Sequence, residues 1–455
     1  MSSKWCPLPW IGTSLRNNGD MRLCAHSNQG ADNGLNRKSD GLTVNAAVDD
    51  IAAAKNTDFM KSVRLSMLAN EWHPACSRCQ IESDAGHWSR NQAETDLWSS
   101  EFTKDDAIAA TALDGTIDLA KVPSLYYDIR FGNKCNIKCR SCNPTESNFW
   151  YEDYVALWGW KNYRESFGKV TLVRNEQGKL EPTPNQYEWY ESANFWNYVN
   201  ANSDSISRVH MVGGEPTLIE EQYSFLRKCI DKGISKNITI EYNTNLVKLP
   251  PKVWDLWKEF KQVCIGASID GVGPVNDYIR HPSKWKMIAD NLSRIDSHPD
   301  INFNIWIAHT VMSYNIWYLP DTLEYILRQK YNRISWLDDN NPLMTAHPLY
   351  RPVYFSIQAL PPAAKRVISN HLDKRKAELL VLADQIYTDD HIKRNFVKVG
   401  INKHLTNWRD FMNKKDIPDQ MDMFWQVTNR LDQIRNESME GSLPELYDVL
   451  MREVI

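Results

Sequence analysis

Three cysteines stand close together in the segment "CNIKCRSC", at Cys135, Cys139 and Cys142. A structural zinc ion takes four ligands in a closed tetrahedral site, and iron–sulfur clusters are also commonly held by four thiolates. A group of three thiolates therefore leaves one metal position open, and on a 4Fe–4S cluster that position is an iron that can bind another molecule. The spacing alone also fits three quarters of a zinc site whose fourth ligand lies elsewhere in the chain.

Four further cysteines precede this group, the number that a closed metal site requires: Cys6, Cys24, Cys76 and Cys79. The first two flank Asn18-Gly19-Asp20, a sequence typical of a hairpin turn, and the last two form a C-x2-C pair. Cys229 and Cys264 stand alone in apolar segments. We predict that these two are core residues, because free cysteine behaves as a small hydrophobe.

Composition narrows the class of protein and its compartment. The chain has 455 residues and a net charge of -4, and this acidic balance argues against nucleic acid as a partner. No apolar run reaches the roughly 18 residues of a membrane span, and the N-terminus lacks the charged-then-apolar order of a signal peptide. The chain contains nine cysteines. In a cytosolic chain they favour metal binding or catalysis over disulfides. We therefore expect a cytoplasmic protein with no membrane partner.

The elements that must position these thiols alternate between strands and helices. The alternating apolar pattern predicts strands over 124–132, 206–214, 236–245, 261–271, 301–311 and 331–338, with a short extra strand over 352–361. Helices are predicted from Thr217 onward and over 319–331. Strand–helix alternation of this kind indicates an α/β fold with a parallel sheet, arranged as a barrel or as a doubly wound sheet.

Polar and glycine-rich segments follow four of these strands. The three cysteines come after the first strand, "GGEP" (213–216) after the second and "NTN" (243–245) after the third, and "SIDG" (268–271) ends the fourth. Ligand sites of parallel α/β sheets collect at the carboxyl ends of the strands. Four such signals at one edge are far more specific than any one of them.

Together, "CNIKCRSC" and these strand-end segments resemble the radical S-adenosylmethionine (SAM) superfamily over roughly 121–340. The resemblance implies a partial (β/α)6 TIM-like barrel in which Cys135, Cys139 and Cys142 hold a 4Fe–4S cluster. It also implies that SAM binds the open iron, which explains why the segment carries three thiols. The residues that it implies for SAM binding are Gly213, Gly214, Glu215, Pro216, Asn243, Asn245, Ser268, Asp270 and Arg280.

This sequence departs from the family pattern at three places. The position before the third cysteine is often aromatic and packs on the adenine, but here it is Ser141. Leu246 stands where related enzymes have the glycine of "TNG". A long tryptophan-rich insertion, at about 148–200, separates the first two strands, and we expect most of its aromatic residues to pack in the core.

The N-terminal cysteines resemble the auxiliary-cluster modules called SPASM or twitch domains, in which a "C…W…G…C" pattern precedes a C-x2-C pair. That module usually follows the barrel, whereas here it precedes it. The resemblance implies an auxiliary 4Fe–4S cluster on Cys6, Cys24, Cys76 and Cys79. A zinc site with the same ligand number is the alternative, and His26, His73 and His87 lie near enough in sequence to replace a cysteine.

These features divide the chain into three predicted parts: an auxiliary module over 1–120, a radical SAM core over 121–361 and a C-terminal helical region over 362–455. The charge runs of the helical region indicate a solvated face, and no motif there carries chemistry. No residue stands out as a catalytic acid or base.

The resemblance implies an oxidoreductase-type radical enzyme. A one-electron reductant such as flavodoxin or ferredoxin would reduce the cluster, SAM would be cleaved to a 5′-deoxyadenosyl radical, and the radical would abstract hydrogen from a substrate. Relatives with auxiliary clusters often modify peptides or proteins, so that substrate class is expected. The alternatives are a small-molecule or nucleic-acid substrate, or a non-catalytic zinc or iron–sulfur protein for structure or electron transfer.

Overall fold

The computed structural model describes residues 4–27, 34–84, 88–165, 168–334 and 343–452. Its strands are β1 (Gly12–Leu15), β2 (Met21–Arg22), β3 (Tyr126–Arg130), β4 (Tyr163–Glu165), β5 (Gly168–Val170), β6 (Leu172–Arg174), β7 (Leu180–Pro182), β8 (Arg208–Val212), β9 (Thr239–Thr244), β10 (Gln262–Ser268), β11 (Phe303–Val311) and β12 (Thr345–Pro348).

The helices of the described residues alternate with these strands or follow them. They are α1 (Leu8–Ile11), α2 (Ile51–Ala54), α3 (Asp58–Leu68), α4 (Ser77–Asp84), α5 (Arg90–Leu97), α6 (Lys104–Ala110), α7 (Trp150–Trp158), α8 (Ala193–Ala201), α9 (Glu220–Asp231), α10 (Pro251–Trp257), α11 (Pro274–Ile279), α12 (Trp285–Ser297), α13 (Leu319–Gln329), α14 (Pro362–Ile386), α15 (His391–Asn413), α16 (Met421–Arg435), α17 (Met439–Ser442) and α18 (Pro444–Met451).

The chain forms two compact units. The first unit comprises 1–134, 162–242 and 252–263, and the second comprises 135–161, 243–251 and 264–455. In the first unit, β9, β8, β3 and β1 pair in parallel, and β2 closes on β1 as an antiparallel hairpin. In the second unit, β10, β11 and β12 are neighbours, and β11 pairs with β12 in parallel. The predicted α/β fold with mostly parallel strands is confirmed.

Local sequence explains why these segments adopt their observed structure. Strand β11, "FNIWIAHTV", buries every second residue because successive side chains of a strand point to opposite faces. Helix α13 buries Leu319, Leu323, Ile326 and Leu327, a spacing that places all four on one face. The predicted strands over 124–132, 206–214, 236–245, 261–271 and 301–311 are present as β3, β8, β9, β10 and β11.

Two predicted elements differ from the structure. The predicted strand over 352–361 is wrong, because this segment forms two 3-10 turns, Val353–Phe355 and Ile357–Ala359. The Ser356 side chain accepts a hydrogen bond from the Gln358 backbone and thus satisfies the backbone locally instead of through a strand ladder. The helix predicted from Thr217 begins at Glu220, after a 3-10 turn over Pro216–Leu218. The second half of the predicted strand over 331–338 lies outside the described residues.

The predictions for the hairpin, the isolated cysteines and the aromatic insertion are confirmed. Gly19 has a φ of +83° between the two strands of the hairpin. Cys229 and Cys264 are each 2% exposed. Within the insertion Trp150 and Trp189 are buried. No helix among the described residues combines the length and the apolar character that a membrane span requires.

Candidate functional site

The three cysteines of "CNIKCRSC" gather in one small cluster within the second unit. Cys135 and Cys139 are 8% and 3% exposed, Cys142 is half-buried, and Ile137 and Val247 pack against them. None of the three forms a disulfide with another described residue. The backbone of the loop is held by Lys138, which donates to the His281 carbonyl at 2.7 Å. The arrangement therefore fits three thiolate ligands to one compact metal group.

Hydrogen bonding and charge distinguish the thiols from one another. A hydrogen bond from Cys142 lowers the pKa of Cys139 to about 7 against the effect of burial, and the positive charge of Arg280 adds to this lowering. The same hydrogen bond and burial raise the pKa of Cys142 well above its usual range. Cys139 is thus the thiol of this pair that favours the thiolate form, which is the form that binds metal.

The side chain of Asn245 contacts the loop that carries the three cysteines. Its side-chain amide nitrogen lies 3.9 Å from the Cys135 sulfur and 2.8 Å from the Asn136 side-chain oxygen, while its oxygen accepts a hydrogen bond from the Val247 backbone at 2.9 Å. Asn245 is buried, whereas Asn243 is exposed. The ribose contacts expected of both residues stay predictions, and the described geometry places Asn245 beside a thiol.

Leu246 adopts the backbone conformation that the glycine of "TNG" would favour. Its φ is +55°, in the left-handed region, and its side chain is completely buried. Residues other than glycine pay a conformational cost in this region. The burial of the leucine side chain offsets that cost, so the sequence departure leaves the turn in place.

Asp270 and Arg280, both predicted to contact SAM, form an ion pair with each other. The Arg280 Nη1 lies 2.6 Å from Asp270 Oδ2, and the other oxygen of Asp270 accepts a hydrogen bond from the Thr310 backbone at 2.9 Å. The Nε of Arg280 is buried without a hydrogen-bond partner among the described residues. A buried donor of this kind fits an anionic ligand such as a carboxylate. Ser268 is the last residue of β10 and lies two residues before Asp270 in the chain.

A second group of charges, which the sequence did not indicate, surrounds Arg140 inside the cysteine motif. Arg140 is 1% exposed and donates through Nε to the Tyr278 carbonyl at 3.0 Å. Its Nη2 donates to Asp432 and, at 2.9 Å, to Glu437. The one sequence signal for this network is that two cations, Lys138 and Arg140, flank Cys139 in "KCR".

The GGEP loop belongs to the first unit and packs on the backbone that precedes Cys135. Gly213 and Gly214 have φ values of +89° and +50°. A Cβ on Gly214 would lie 2.3 Å from the Lys134 carbonyl oxygen, and one on Gly213 would lie 2.8 Å from the Phe131 nitrogen. The Glu215 backbone donates to the same Lys134 carbonyl at 2.8 Å. Both glycines are therefore required for the close approach of two backbone segments.

Glu215 is almost completely buried, at 1% exposed. Its carboxylate accepts hydrogen bonds from the Thr217 backbone at 3.2 Å and from the Thr217 hydroxyl at 2.7 Å, and Pro216 opens the following 3-10 turn. The carboxylate is thus held in one orientation. The SAM contacts expected of this loop stay predictions.

We expect Gly214→Ala to destabilise the protein more than Gly233→Ala does. Both glycines have positive φ, +50° and +72°, but a Cβ on Gly233 would meet nothing within 4 Å. Both variants carry the left-handed penalty of about 1–2 kcal/mol. Only Gly214→Ala adds steric overlap, worth about 1–3 kcal/mol. Denaturant unfolding of the two variants measures the difference, and equal losses would show that the loop can move away without cost.

The four upstream cysteines line one cavity of the first unit. The cavity has a volume of about 30 Å³ and is bounded by Cys6, Cys24, Cys76 and Cys79 together with apolar residues such as Leu8 and Met67. Burial raises the pKa of Cys6 well above its usual range and that of Cys79 to about 11. A bound cation would offset this cost and stabilise the thiolates, so the donor set fits either an iron–sulfur cluster or zinc.

Among the histidines near these cysteines in the sequence, His26 has its side chain close to the thiol of Cys79. Its Nε2 lies 2.9 Å from Glu82 Oε1, and one ligand atom each from His26, Glu82 and Cys79 lie within 4.8 Å of one another. His73 instead accepts a hydrogen bond from the Ala75 backbone. His87 lies outside the described residues. His26 is therefore the histidine that a zinc site could recruit.

A polar cavity of about 340 Å³ lies beside the cysteine cavity in the first unit, and His26 and Arg90 line both. Its strand side consists of Tyr126, Arg208, His210 and Glu241. Arg208 pairs with Glu241 at 2.7 Å. His210 also approaches the fully buried Asp128, at 3.3 Å. Polar residues of β3, β8 and β9 thus form the wall of a space large enough for a ligand.

A known protein family matches part of this chain. Residues 129–326 match the family model described as the radical SAM superfamily. No curated protein sequence matches the chain.

Solved structures similar to the chain are distant from it. They include anSMEcpe with bound AdoMet, at 16% identity over 56% of this chain and 62% of that chain with a TM-score of 0.35. Another is SuiB of Streptococcus suis bound to the precursor peptide SuiA, at 12% identity over 70% of this chain and 63% of that chain with a TM-score of 0.31. The chain therefore matches less than two thirds of either structure.

The family match begins within β3 and ends within α13, so it contains the three-cysteine loop and the GGEP, NTN and SIDG segments. Residues 129–326, less than half of the chain, therefore match the radical SAM superfamily of enzymes.

Proposed function

We propose that this chain reductively cleaves SAM at a 4Fe–4S cluster held by Cys135, Cys139 and Cys142, and that the resulting radical abstracts hydrogen from a peptide or protein. When bound and reduced by a one-electron donor, the cluster supplies one electron to SAM, which divides into methionine and the 5′-deoxyadenosyl radical. The observation that carries the proposal is that three cysteines, two of them buried and none in a disulfide, gather in one cluster of the second unit.

The chain's own residues supply position, charge and exclusion of water. Asn245 offers an amide N–H to the Cys135 sulfur, and such hydrogen bonds tune iron–sulfur clusters. The Nε of Arg280, which has no hydrogen-bond partner in the described part of the chain, offers a donor to an anionic group such as the carboxylate of SAM. Ile137 and Val247 pack against the thiols and keep water away from them. This division leaves the difficult chemistry to the cofactor and its positioning to the protein.

The N-terminal cysteines are proposed to hold an auxiliary 4Fe–4S cluster within a module over 1–120. The polar cavity next to them is proposed as the substrate site. Its walls carry both signs of charge, in Arg90, Glu94, Arg208 and Glu241, together with the ring of Tyr126. A peptide presents amide groups and charged side chains that such walls can pair, which supports a peptide or protein over an apolar small molecule.

Anaerobic reconstitution of the full chain with iron and sulfide tests the proposal. We expect the reduced protein to convert SAM into 5′-deoxyadenosine and methionine, measured by chromatography, with the product appearing only when reductant is present. A protein that holds its iron and binds SAM but forms no 5′-deoxyadenosine would contradict the proposed reaction and favour a non-catalytic role for the cluster.

A further inference from the structure

The C-terminal region contacts the cysteine loop within the second unit. The sequence predicts that the helices of this region face solvent. In the structure, however, Arg140 donates hydrogen bonds to the carboxylates of Asp432, on α16, and Glu437, in the turn that follows it. Arg140 lies directly after Cys139 in the chain. Its guanidinium carbon lies 3.6 Å from the centre of the Tyr278 ring, so the side chain is confined on its flat face as well as at its edge.

Both carboxylates are themselves fixed by further hydrogen bonds. Asp432 accepts from the Tyr278 hydroxyl at 2.8 Å through one oxygen and from the Met439 backbone at 2.8 Å through the other. Glu437 bonds His281 Nδ1 at 2.6 Å through the oxygen that does not face Arg140. The position of Arg140 is therefore determined by groups whose own positions leave little freedom.

A second ion pair ties the other side of Cys139 to the same helix. Lys138 donates to Asp153 Oδ1 at 2.6 Å, and Arg435 of α16 donates to Asp153 Oδ2 at 2.7 Å. Both residues that flank Cys139 are thus held, directly or through Asp153, by the C-terminal end of α16. The Trp150 indole adds a hydrogen bond to the Cys139 carbonyl at 2.8 Å.

Stability alone is a weak reason for such a network, because well-packed apolar residues commonly replace buried ion pairs without loss. Residues outside the ligand set, however, orient metal ligands and tune the bound group. The potential of an iron–sulfur cluster depends on nearby charge and on hydrogen bonds to its sulfurs. The guanidinium of Arg140, which directly follows Cys139 in the chain and is paired with two carboxylates, meets the first condition, nearby charge.

We propose that Asp432 and Glu437 are positioning residues for the cluster of the radical SAM domain. They hold Arg140 in place and offset its charge, so that the C-terminal region sets both the geometry of the cysteine loop and the potential at which the cluster is reduced. This inference rests on the proposed function, because it requires a cluster on the three thiols.

Redox titration of the reconstituted full chain, followed by electron paramagnetic resonance, tests the inference. Asp432→Asn and Glu437→Gln each remove one negative charge beside Arg140, so we expect each to shift the midpoint potential to less negative values. Arg140→Gln removes the positive charge, so we expect the opposite shift. Asp422→Asn is the matched control, because Asp422 lies on the same helix but is exposed, and its potential should equal that of the wild type.

Loosened packing should shift the midpoint potential in the same direction whether Arg140 or one of its carboxylates is changed. Shifts of opposite sign would therefore not arise from loosened packing. Unchanged potentials in Glu437→Gln, the mildest of these changes, would overturn the inference even if Asp432→Asn fails to fold. Shifts of the same sign in all three variants would also overturn it. A wild type that binds no cluster would instead refute the proposed function on which the inference rests.

Discussion

Cys139→Ala is expected to abolish 5′-deoxyadenosine formation completely and to remove most of the iron of the SAM-binding site. Cys139 is 3% exposed, and a hydrogen bond from Cys142 and the charge of Arg280 favour its thiolate form. Alanine is smaller than cysteine and has no ligand atom, and a cluster that already has only three protein thiolates cannot lose another. The same result is expected for Cys135→Ala and Cys142→Ala.

The matched control is Cys264→Ala, which makes the same chemical change at a buried cysteine of the same unit. Cys264 is 2% exposed on β10 and is assigned to the core. We expect it to retain iron and activity, with a loss of stability of about 1 kcal/mol, as is typical of small core substitutions. Iron analysis and product chromatography measure the two effects. Normal 5′-deoxyadenosine formation by Cys139→Ala would remove this residue from the ligand set.

The double variant Cys76→Ala/Cys79→Ala is expected to lose about half of its iron and to keep its ability to cleave SAM. The two cysteines line the N-terminal cavity with Cys6 and Cys24, and all four belong to the first unit. A protein with two 4Fe–4S clusters binds about eight irons, and this variant should retain about four. It should fail to modify the true substrate, because the proposed auxiliary cluster would be missing.

Zinc and iron analysis of the wild type and this variant separates the two kinds of site. Thiolates are good ligands for zinc and for iron–sulfur clusters, so the four cysteines alone do not show which of the two is bound. If the site holds zinc, the wild type should contain about four irons and one zinc, and the variant should lose the zinc and much of its stability. Cys229→Ala is the control, because Cys229 is a core cysteine of the same unit and is 2% exposed.

The sequence by itself determined the features that depend on neighbouring residues. The C-x3-C-x2-C spacing, the glycine pair of GGEP and the alternating strands are all contained in short segments. The structure confirms the strands, and it shows a close approach of backbone segments that requires Gly213 and Gly214. The positive φ of each glycine is a local property, whereas the need for a missing Cβ comes from the Lys134 and Phe131 backbone that packs against them. The resemblance to the superfamily rests on these segments.

Only the tertiary structure decided which charges surround the thiols. Arg140 is separated from Asp432 and Glu437 by 292 and 297 residues in the chain. A carboxylate on an amphipathic helix has the same local pattern whether it faces solvent or a buried arginine, so the sequence indicated a solvated face. Tertiary packing also pairs Asp270 with Arg280. The periodicity of a sequence indicates helices and strands, but it does not indicate which charged residues become buried as ion pairs.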